Sequence, residues 1–447
     1  MSGIVGIEDS GRQIQVEHML DKISHRGTSG SEIIGAENGT LGVVWTESQT
    51  PPVSTGVRER TVQDEGGNGH FARAQIIKGN LLLVRDQLGV APLYYGRTEE
   101  GVLCFASEVK ALLEVTHDVH KFPPGHLYYG GNFRSYYRLK KQPPLRSHPQ
   151  HMARELCQRL ATAVKERIKG DVAGTWLSGG LDSSALAALA RPHVDDLHTF
   201  VAGLPGAPDL DHAFEMAAFI NSEHHEVIVS LDDLLHVLPD VIYHLESFDA
   251  LLVRSSITNY LVAEAASRYV STVFSGEGGD ELFAGYHYLK DLHPTALEEE
   301  LIDITGRLDN TALQRVDRSA AAHSIKAHVG FLDPHVVYYA LRIPAKFKLH
   351  NGIEKWILRQ AMDGILPEDI VQRRKAKFWE GAGVGEILAK HAENRITDGE
   401  FTRERVLPNR WILNTKEELL YYRCFCEHFG ELKDLSWMGR TKNVPQQ

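Results

Sequence analysis

Two glycine-rich stretches carry the residues that can do chemistry. One is Leu177-Ser178-Gly179-Gly180-Leu181-Asp182-Ser183-Ser184, the other Ser275-Gly276-Glu277-Gly278-Gly279-Asp280-Glu281. Each follows an apolar run that reads as a buried strand, 172–176 before the first and 270–274 before the second. The first opens into Ala185-Leu186-Ala187-Ala188-Leu189-Ala190, a strong helix former. Unpaired backbone N–H groups and the helix dipole make such a turn an anion cradle, and Gly179 and Gly180 allow close approach of phosphate. Ser178, Ser183 and Ser184 add hydroxyl donors. Asp182 would repel a phosphate unless a divalent cation lies between them, and Mg²⁺ typically takes one or two carboxylates plus phosphate and water. Asp182 and Asp280 are therefore the candidate metal ligands. No lysine follows the glycines, so this is not the Walker A pattern. The plainer alternatives are a capped turn for the first stretch and a helix N-cap for Asp280.

Both stretches need a sheet edge to hold them. From residue 148 the pattern alternates: helix 153–168, strand 197–202, helix 209–222, strand 225–229, helices 231–245 and 257–268, then the strand before Ser275. This spacing predicts a parallel sheet covered on both faces, with ligand at the strand C-termini. Helices follow at 338–341, 352–362 and 419–427, and 431–447 reads as a polar tail. Lys355 and Arg359 are expected on one helix face at i, i+4 spacing. The basic run Arg373-Arg374-Lys375 leads into aromatic and glycine residues that suit a site loop. The first 145 residues instead read as β-rich, with strands at 1–7, 42–45, 81–84 and 102–106. Linker-like stretches at 121–125 and 140–149 divide the chain into 1–145 and 146–447.

Composition narrows the class. The 447 residues are 43% hydrophobic, enough for full cores, and the net charge of -11 excludes a broad nucleic-acid footprint. Any anion site is then local. The four cysteines form no CxxC pair, which points to free thiols in a reducing compartment. Glu8 and Asp9 stand where a signal peptide needs apolar residues, and no stretch has the length of a membrane span. A cytoplasmic protein acting on small molecules is expected.

The motifs resemble a family. Met1-x-Gly3-Ile4-x-Gly6-Ile7, His25-Arg26-Gly27, Arg85-Asp86-x-x-Gly89-x-x-Pro92-Leu93-Tyr94-Tyr95 and Phe105-Ala106-Ser107-Glu108 look like the glutaminase domain of glutamine-dependent asparagine synthetases. Both glycine-rich stretches look like its synthetase domain, as do Gly203-Leu204-Pro205-Gly206-x-Pro208-Asp209, Phe331-Leu332-Asp333 and Glu354-Lys355-x-x-Leu358-Arg359. The resemblance implies an α/β two-domain fold. A truncated, β-rich N-terminal-nucleophile-type (αββα) domain would be followed by a parallel-sheet α/β domain of the PP-loop ATP pyrophosphatase type (adenine nucleotide α-hydrolase-like), with a helical C-terminal part. It implies ATP and Mg²⁺ as cofactors. Trp176, Leu177, Ser178, Gly179, Gly180, Asp182, Ser183, Ala202, Ser275 and Gly276 would bind ATP, and Asp182 and Asp280 the metal. Glu277 and Lys375 would be catalytic, and Arg254 and Lys355 would bind substrate.

The implied reaction is AMP-forming amide synthesis. A carboxylate, by default L-aspartate, is adenylated, and ammonia then displaces AMP. Lys375 would stabilise the oxyanion and Glu277 receive the amine's proton. Three departures fall in the N-terminal half. Ser2 stands at the family's nucleophilic cysteine, the Asn-Gly-Glu segment has no counterpart, and the glutamine-clamping arginine is missing. Together they predict a retired glutaminase. Leu251-Leu252, Lys326 and His328 replace family threonines, a glutamate and an arginine. The alternatives are an amide or lactam ligase acting on another carboxylate, and an inactive binding homologue. A glutamate at Glu277, where β-lactam-forming relatives carry tyrosine, favours an external amine. A homodimer and a separate ammonia donor stay open.

Overall fold

A computed structural model describes residues 2–46, 53–56, 59–67, 69–373 and 381–441. Its N-terminal part is two six-stranded sheets built from antiparallel pairs. Strand Ser2–Ile7 lies inside the first, between Gly39–Trp45 and Leu103–Ala106. The pleat sends alternate residues to opposite faces. Ile4 joins Leu41, Val43, Leu81 and Leu83 between the sheets, while Val5 and Ile7 meet Val16, Met19 and Leu20 of helix Gln13–Lys22. That helix and the short Val109–Leu112 both pack on the first sheet. On the outer face of the second, Phe71, Arg73, Gln75, Leu82 and Val84 are only half-buried. The truncation expected of an αββα domain thus takes the form of a helix–sheet–sheet stack.

The C-terminal part is built on a five-stranded parallel sheet in the order Glu223–Ile228, Asp196–Gly203, Val172–Trp176, Thr272–Phe274, Lys326–His328. Every residue of 197–203 is buried, as expected of a strand with both faces covered. Helix Leu231–Leu245 starts at a capping box in which Ser230 and Asp233 satisfy each other's backbone N–H. Strand Lys326–His328 is not anticipated from sequence, because three residues are too few to show a period.

Two further expectations are corrected. Lys355 is not on a helix face. It precedes helix Trp356–Met362 in left-handed conformation, with φ 55°, so its side chain and that of Arg359 diverge. The tail is also not merely polar. Leu435, Trp437 and Met438 are buried, Trp437 meets Tyr94 edge-on at 6.2 Å, and the Thr441 hydroxyl donates to Asp249 at 2.7 Å. Three large apolar side chains within four residues outweigh the charged ones around them.

The two parts share buried polar contacts. His70 Nε2 lies 2.8 Å from the Leu332 carbonyl oxygen, and burial pulls its pKa from 6.5 to about 4. Burial likewise lowers His323, which packs edge-on against Tyr260, to about 4. Between pH 6.5 and 4 the unfolded chain binds protons at these positions and the folded chain does not. Stability therefore falls as pH drops through that window. His70→Gln, whose amide can still donate to Leu332, is expected to flatten the slope of unfolding free energy against pH; denaturant titrations between pH 7 and 4.5 would show it, and an unchanged slope would contradict it.

Candidate active site

The two glycine-rich loops meet at the C-terminal edge of the parallel sheet. Strand Val172–Trp176 leads into helix Leu181–Ala190, with Asp182 in its first turn. Its neighbour Thr272–Phe274 leads into Gly279–Phe283, with Asp280 in its first turn. The packing leaves no room for a side chain at the crossing: a Cβ on Gly279 would lie 2.5 Å from Asp182 Cγ. Lys355 closes the junction. Its Nζ lies 2.5 Å from Asp182 Oδ2 and 2.7 Å from Asp280 Oδ1, and all three side chains are nearly buried. Its backbone N–H donates to the Phe283 carbonyl at 3.1 Å. Gly285 makes the fit possible, since a Cβ there would come within 2.4 Å of Lys355 Cε.

The first loop is held by its own hydroxyls and by one arginine. Ser178 Oγ lies 3.2 Å from Ser183 Oγ, and the Gly180 N–H points at Ser178 Oγ at 3.4 Å. Arg373 donates to the Ser178 carbonyl at 2.9 Å and pairs with Asp209 at 2.6 Å. Beyond it, residues 374–380, Lys375 among them, lie outside the described residues. Both flanks are anchored at this sheet edge: Arg373 on the first loop, and Ala382 by accepting the Leu204 N–H at 3.0 Å.

The remaining candidates divide. Trp176, Leu177, Ala202 and Ser275 are buried at strand ends, and the Ser275 N–H donates to the His328 carbonyl at 2.9 Å. Trp176 Nε1 is buried without an acceptor among the described residues, which suits a ligand that brings one. Glu277 is ion-paired with Arg315 of helix Ala312–Ala322. Arg254 is not directed at the loops: its Nε donates to Glu417 at 2.7 and 2.9 Å, and the Tyr421 hydroxyl donates to the same carboxylate at 2.7 Å. Arg315 and Arg373 were not singled out as site residues by sequence reasoning. Arg373 at least begins the basic run that ends at Lys375, whereas nothing local marks Arg315.

The donor types at this junction are those a cation–phosphate ligand takes. Asp182 and Asp280 place oxygens within reach of one point, now held by an ammonium, and serine hydroxyls stand beside it. Oxygen donors from two carboxylates are what Mg²⁺ takes from protein.

Ser2 has a different setting. It is fully buried, and its hydroxyl donates to Asp64 Oδ1 at 2.8 Å. Arg26 donates through Nε to the Ser2 carbonyl at 2.9 Å, pairs with Glu108 at 2.7 Å and grips Asp317 through both terminal nitrogens at 2.8 and 2.9 Å. Asp317 belongs to the helix that also carries Arg315. Its neighbour Arg318 pairs with Glu246 at 3.1 Å and donates to the Ser107 carbonyl at 3.2 Å. The Lys110 backbone N–H donates to Glu246 at 2.7 Å. Burial pushes the Glu108 carboxyl up, but Lys110, His25 and Arg318 outweigh it and hold it well below its ordinary value.

A parallel sheet with paired acidic glycine-rich loops at its carboxyl edge, preceded by a double antiparallel sheet beginning at residue 2, defines a two-part α/β protein. The comparisons specify it further. The asparagine synthase profile matches residues 155–302 and 292–442, and a glutamine amidotransferase domain profile matches 59–129. Asparagine synthetase [glutamine-hydrolyzing] 2 of Arabidopsis thaliana is 34% identical over 379 residues, covering 78% of this chain and 65% of the plant protein. Asparagine synthetase B [glutamine-hydrolyzing] of Escherichia coli is 34% identical over 396 residues, covering 82% and 71%. Among solved structures, NMN synthetase from Francisella tularensis aligns at 13% identity and TM-score 0.29, over 67% of this chain and all of that one, too slight a likeness to argue from. The chain belongs to the asparagine synthetase family. It spans about two thirds of the length of these curated relatives.

Removing the ammonium from between two buried carboxylates leaves them facing each other. Lys355→Met is expected to lose about 3–5 kcal/mol of stability and to regain part of it in excess Mg²⁺. Urea melts with and without the metal test this; a wild-type midpoint in metal-free buffer would contradict it.

Proposed function

We propose that the protein is an ATP-dependent, AMP-forming amide synthetase that takes its nitrogen from free ammonia, with L-aspartate as the default acceptor. The observation that carries the reading is the convergence of Asp182 and Asp280 on Lys355 at the sheet edge. The division of labour falls at residue 145, in the stretch between strand Asn132–Ser135 and helix Pro149–Lys165.

The first glycine-rich loop cradles the triphosphate with its N–H groups and the Ser178 and Ser183 hydroxyls, and Trp176, Ala202, Ser275 and Gly276 line the nucleoside. Asp182 and Asp280 would hold Mg²⁺, which would supply charge neutralisation to the leaving pyrophosphate. Lys355, in contact with both carboxylates, adds a second positive group there. An acceptor carboxylate oxygen bonds to the α-phosphorus while the bond to pyrophosphate breaks. Ammonia then attacks the acyl carbon, and AMP departs with the carboxylate oxygen. Glu277 accepts the proton lost by the amine. Its pairing with Arg315 fixes the direction in which that carboxylate faces. Lys375 stabilises the oxyanion; the described residues on either side of its segment, Arg373 and Ala382, are held at this sheet edge.

The N-terminal part has no hydrolytic role in this reading. Glutamine hydrolysis needs an exposed nucleophile, a clamp for substrate and an oxyanion hole. Ser2 is buried under Asp64 and Arg26, and the charges around it are spent on one another.

The test is pyrophosphate release from ATP with a panel of carboxylates and ammonium. Aspartate is expected to support it with amide formation, and Lys375→Ala to abolish amide formation without altering the melt. A different carboxylate as the best acceptor would reassign the substrate; pyrophosphate release with no member of the panel would overturn the reading.

A further inference from the structure

The amino ends of the same sheet hold a second cluster. The parallel register sets His198 beside Glu223 and Phe200 beside His225. With side chains alternating between faces, His198, Glu223 and His225 share one face. His224 goes to the other, where its Nδ1 lies 2.9 Å from Thr199 Oγ1. His198 Nδ1 is 3.1 Å from His225 Nε2 and 3.8 Å from Glu223 Oε2, and His225 Nε2 is 3.6 Å from Glu223 Oε1.

These separations have a chemical meaning. A tetrahedral zinc ion with bonds of about 2.0–2.2 Å sets its ligand atoms roughly 3.3–3.6 Å apart. The three observed distances, two of them to different oxygens of Glu223, bracket that edge, and one ligand atom from each residue lies within 4.8 Å of the other two. Two imidazole nitrogens and one carboxylate oxygen are a borderline donor set, suited to zinc and poorly suited to Mg²⁺ or Ca²⁺. Without metal, the two ring nitrogens hold one proton between them; a metal ion takes the place of that proton.

The rings are already in place. His198 and His225 lie 21° from parallel, and Tyr269 packs against them at centroid distances of 5.4 and 4.1 Å. Phe200 stacks on His225 at 4.8 Å. Glu223 is 64% exposed, so its carboxylate can turn onto the ion while the rings stay fixed.

We propose that His198, Glu223 and His225 form a zinc site, with water as the fourth ligand. At about 3.3 Å per residue, His198 lies roughly 16 Å along its strand from Gly203, at the end of the sheet away from the glycine-rich loops. The ion therefore takes no part in amide synthesis. It ties Glu223–Ile228, an edge strand of the sheet, to its inner neighbour Asp196–Gly203.

The experiment is calorimetric titration of chelator-stripped full-length protein with ZnCl₂ in excess Mg²⁺, which keeps zinc from Asp182 and Asp280. One saturable equivalent and a rise in melting temperature are expected. Glu223→Gln, an exposed change that leaves the fold alone, should weaken binding by at least the roughly tenfold that loss of a mere hydrogen-bond partner of a ligand costs. His198→Ala/His225→Ala should abolish both the binding and the melting shift, with amide synthesis in zinc-free buffer containing Mg²⁺ unchanged. Cobalt bound to the wild type should show the intense visible bands of four-coordination. Equal zinc affinity in the double variant, or no saturable binding to the wild type, would overturn the proposal.

Discussion

The Arg26 guanidinium, fully buried, joins the two parts of the molecule. It holds Asp317 through two hydrogen bonds, Glu108 through a third and the Ser2 carbonyl through a fourth. A guanidinium is the right group for this place. Its rigid fork satisfies several oxygens at fixed angles, and its charge survives burial, here with a pKa raised by Asp317, Glu108 and Asp64 against desolvation. Such a cluster adds little net stability over apolar packing, but losing one member strands its partners without water. It acts as a register pin: the N-terminal sheets can seat on the parallel-sheet part in one way only. Their antiparallel scaffold is thereby tied to the parallel-sheet part, with Ser2 buried beside the pin.

Helix Ala312–Ala322 connects this pin to the chemistry. Asp317 and Arg318 face the N-terminal sheets, and Arg315, less than one turn earlier, holds Glu277. A shift of the N-terminal part would be felt at the candidate base through one rigid element. Under the proposed function, this gives a physical reason for the N-terminal part to be retained.

Much of the site was legible because its signals are local. A strand, a glycine-rich turn and a helix in succession fix where Asp182 stands, and strand Val172–Trp176 runs over the residues its apolar pattern predicts. The same holds for Asp280. What escaped is set by contacts distant in sequence or by backbone that no pattern encodes. Lys355 reaches the two aspartates from a left-handed residue just outside its helix, where i, i+4 spacing placed it on a helix face. Asp64 finds Ser2 across 62 residues, and Arg315 finds Glu277 across 38. Strand Lys326–His328 is too short to show a period, and Leu435, Trp437 and Met438 are anchored by a surface that exists only in the folded protein.

The central claim is that a buried ion-pair cluster has closed the glutaminase position and left a synthetase fed by ammonia. The most direct measurement is the source of the product nitrogen. Reactions containing ATP, Mg²⁺ and aspartate would be run with ¹⁵N-ammonium and unlabelled glutamine, and again with ¹⁵N-amide glutamine and unlabelled ammonium. Mass spectrometry of the amide product reads the answer. The account predicts label from ammonium alone, with the same result in Ser2→Ala. Label arriving from glutamine, and lost in Ser2→Ala, would contradict it.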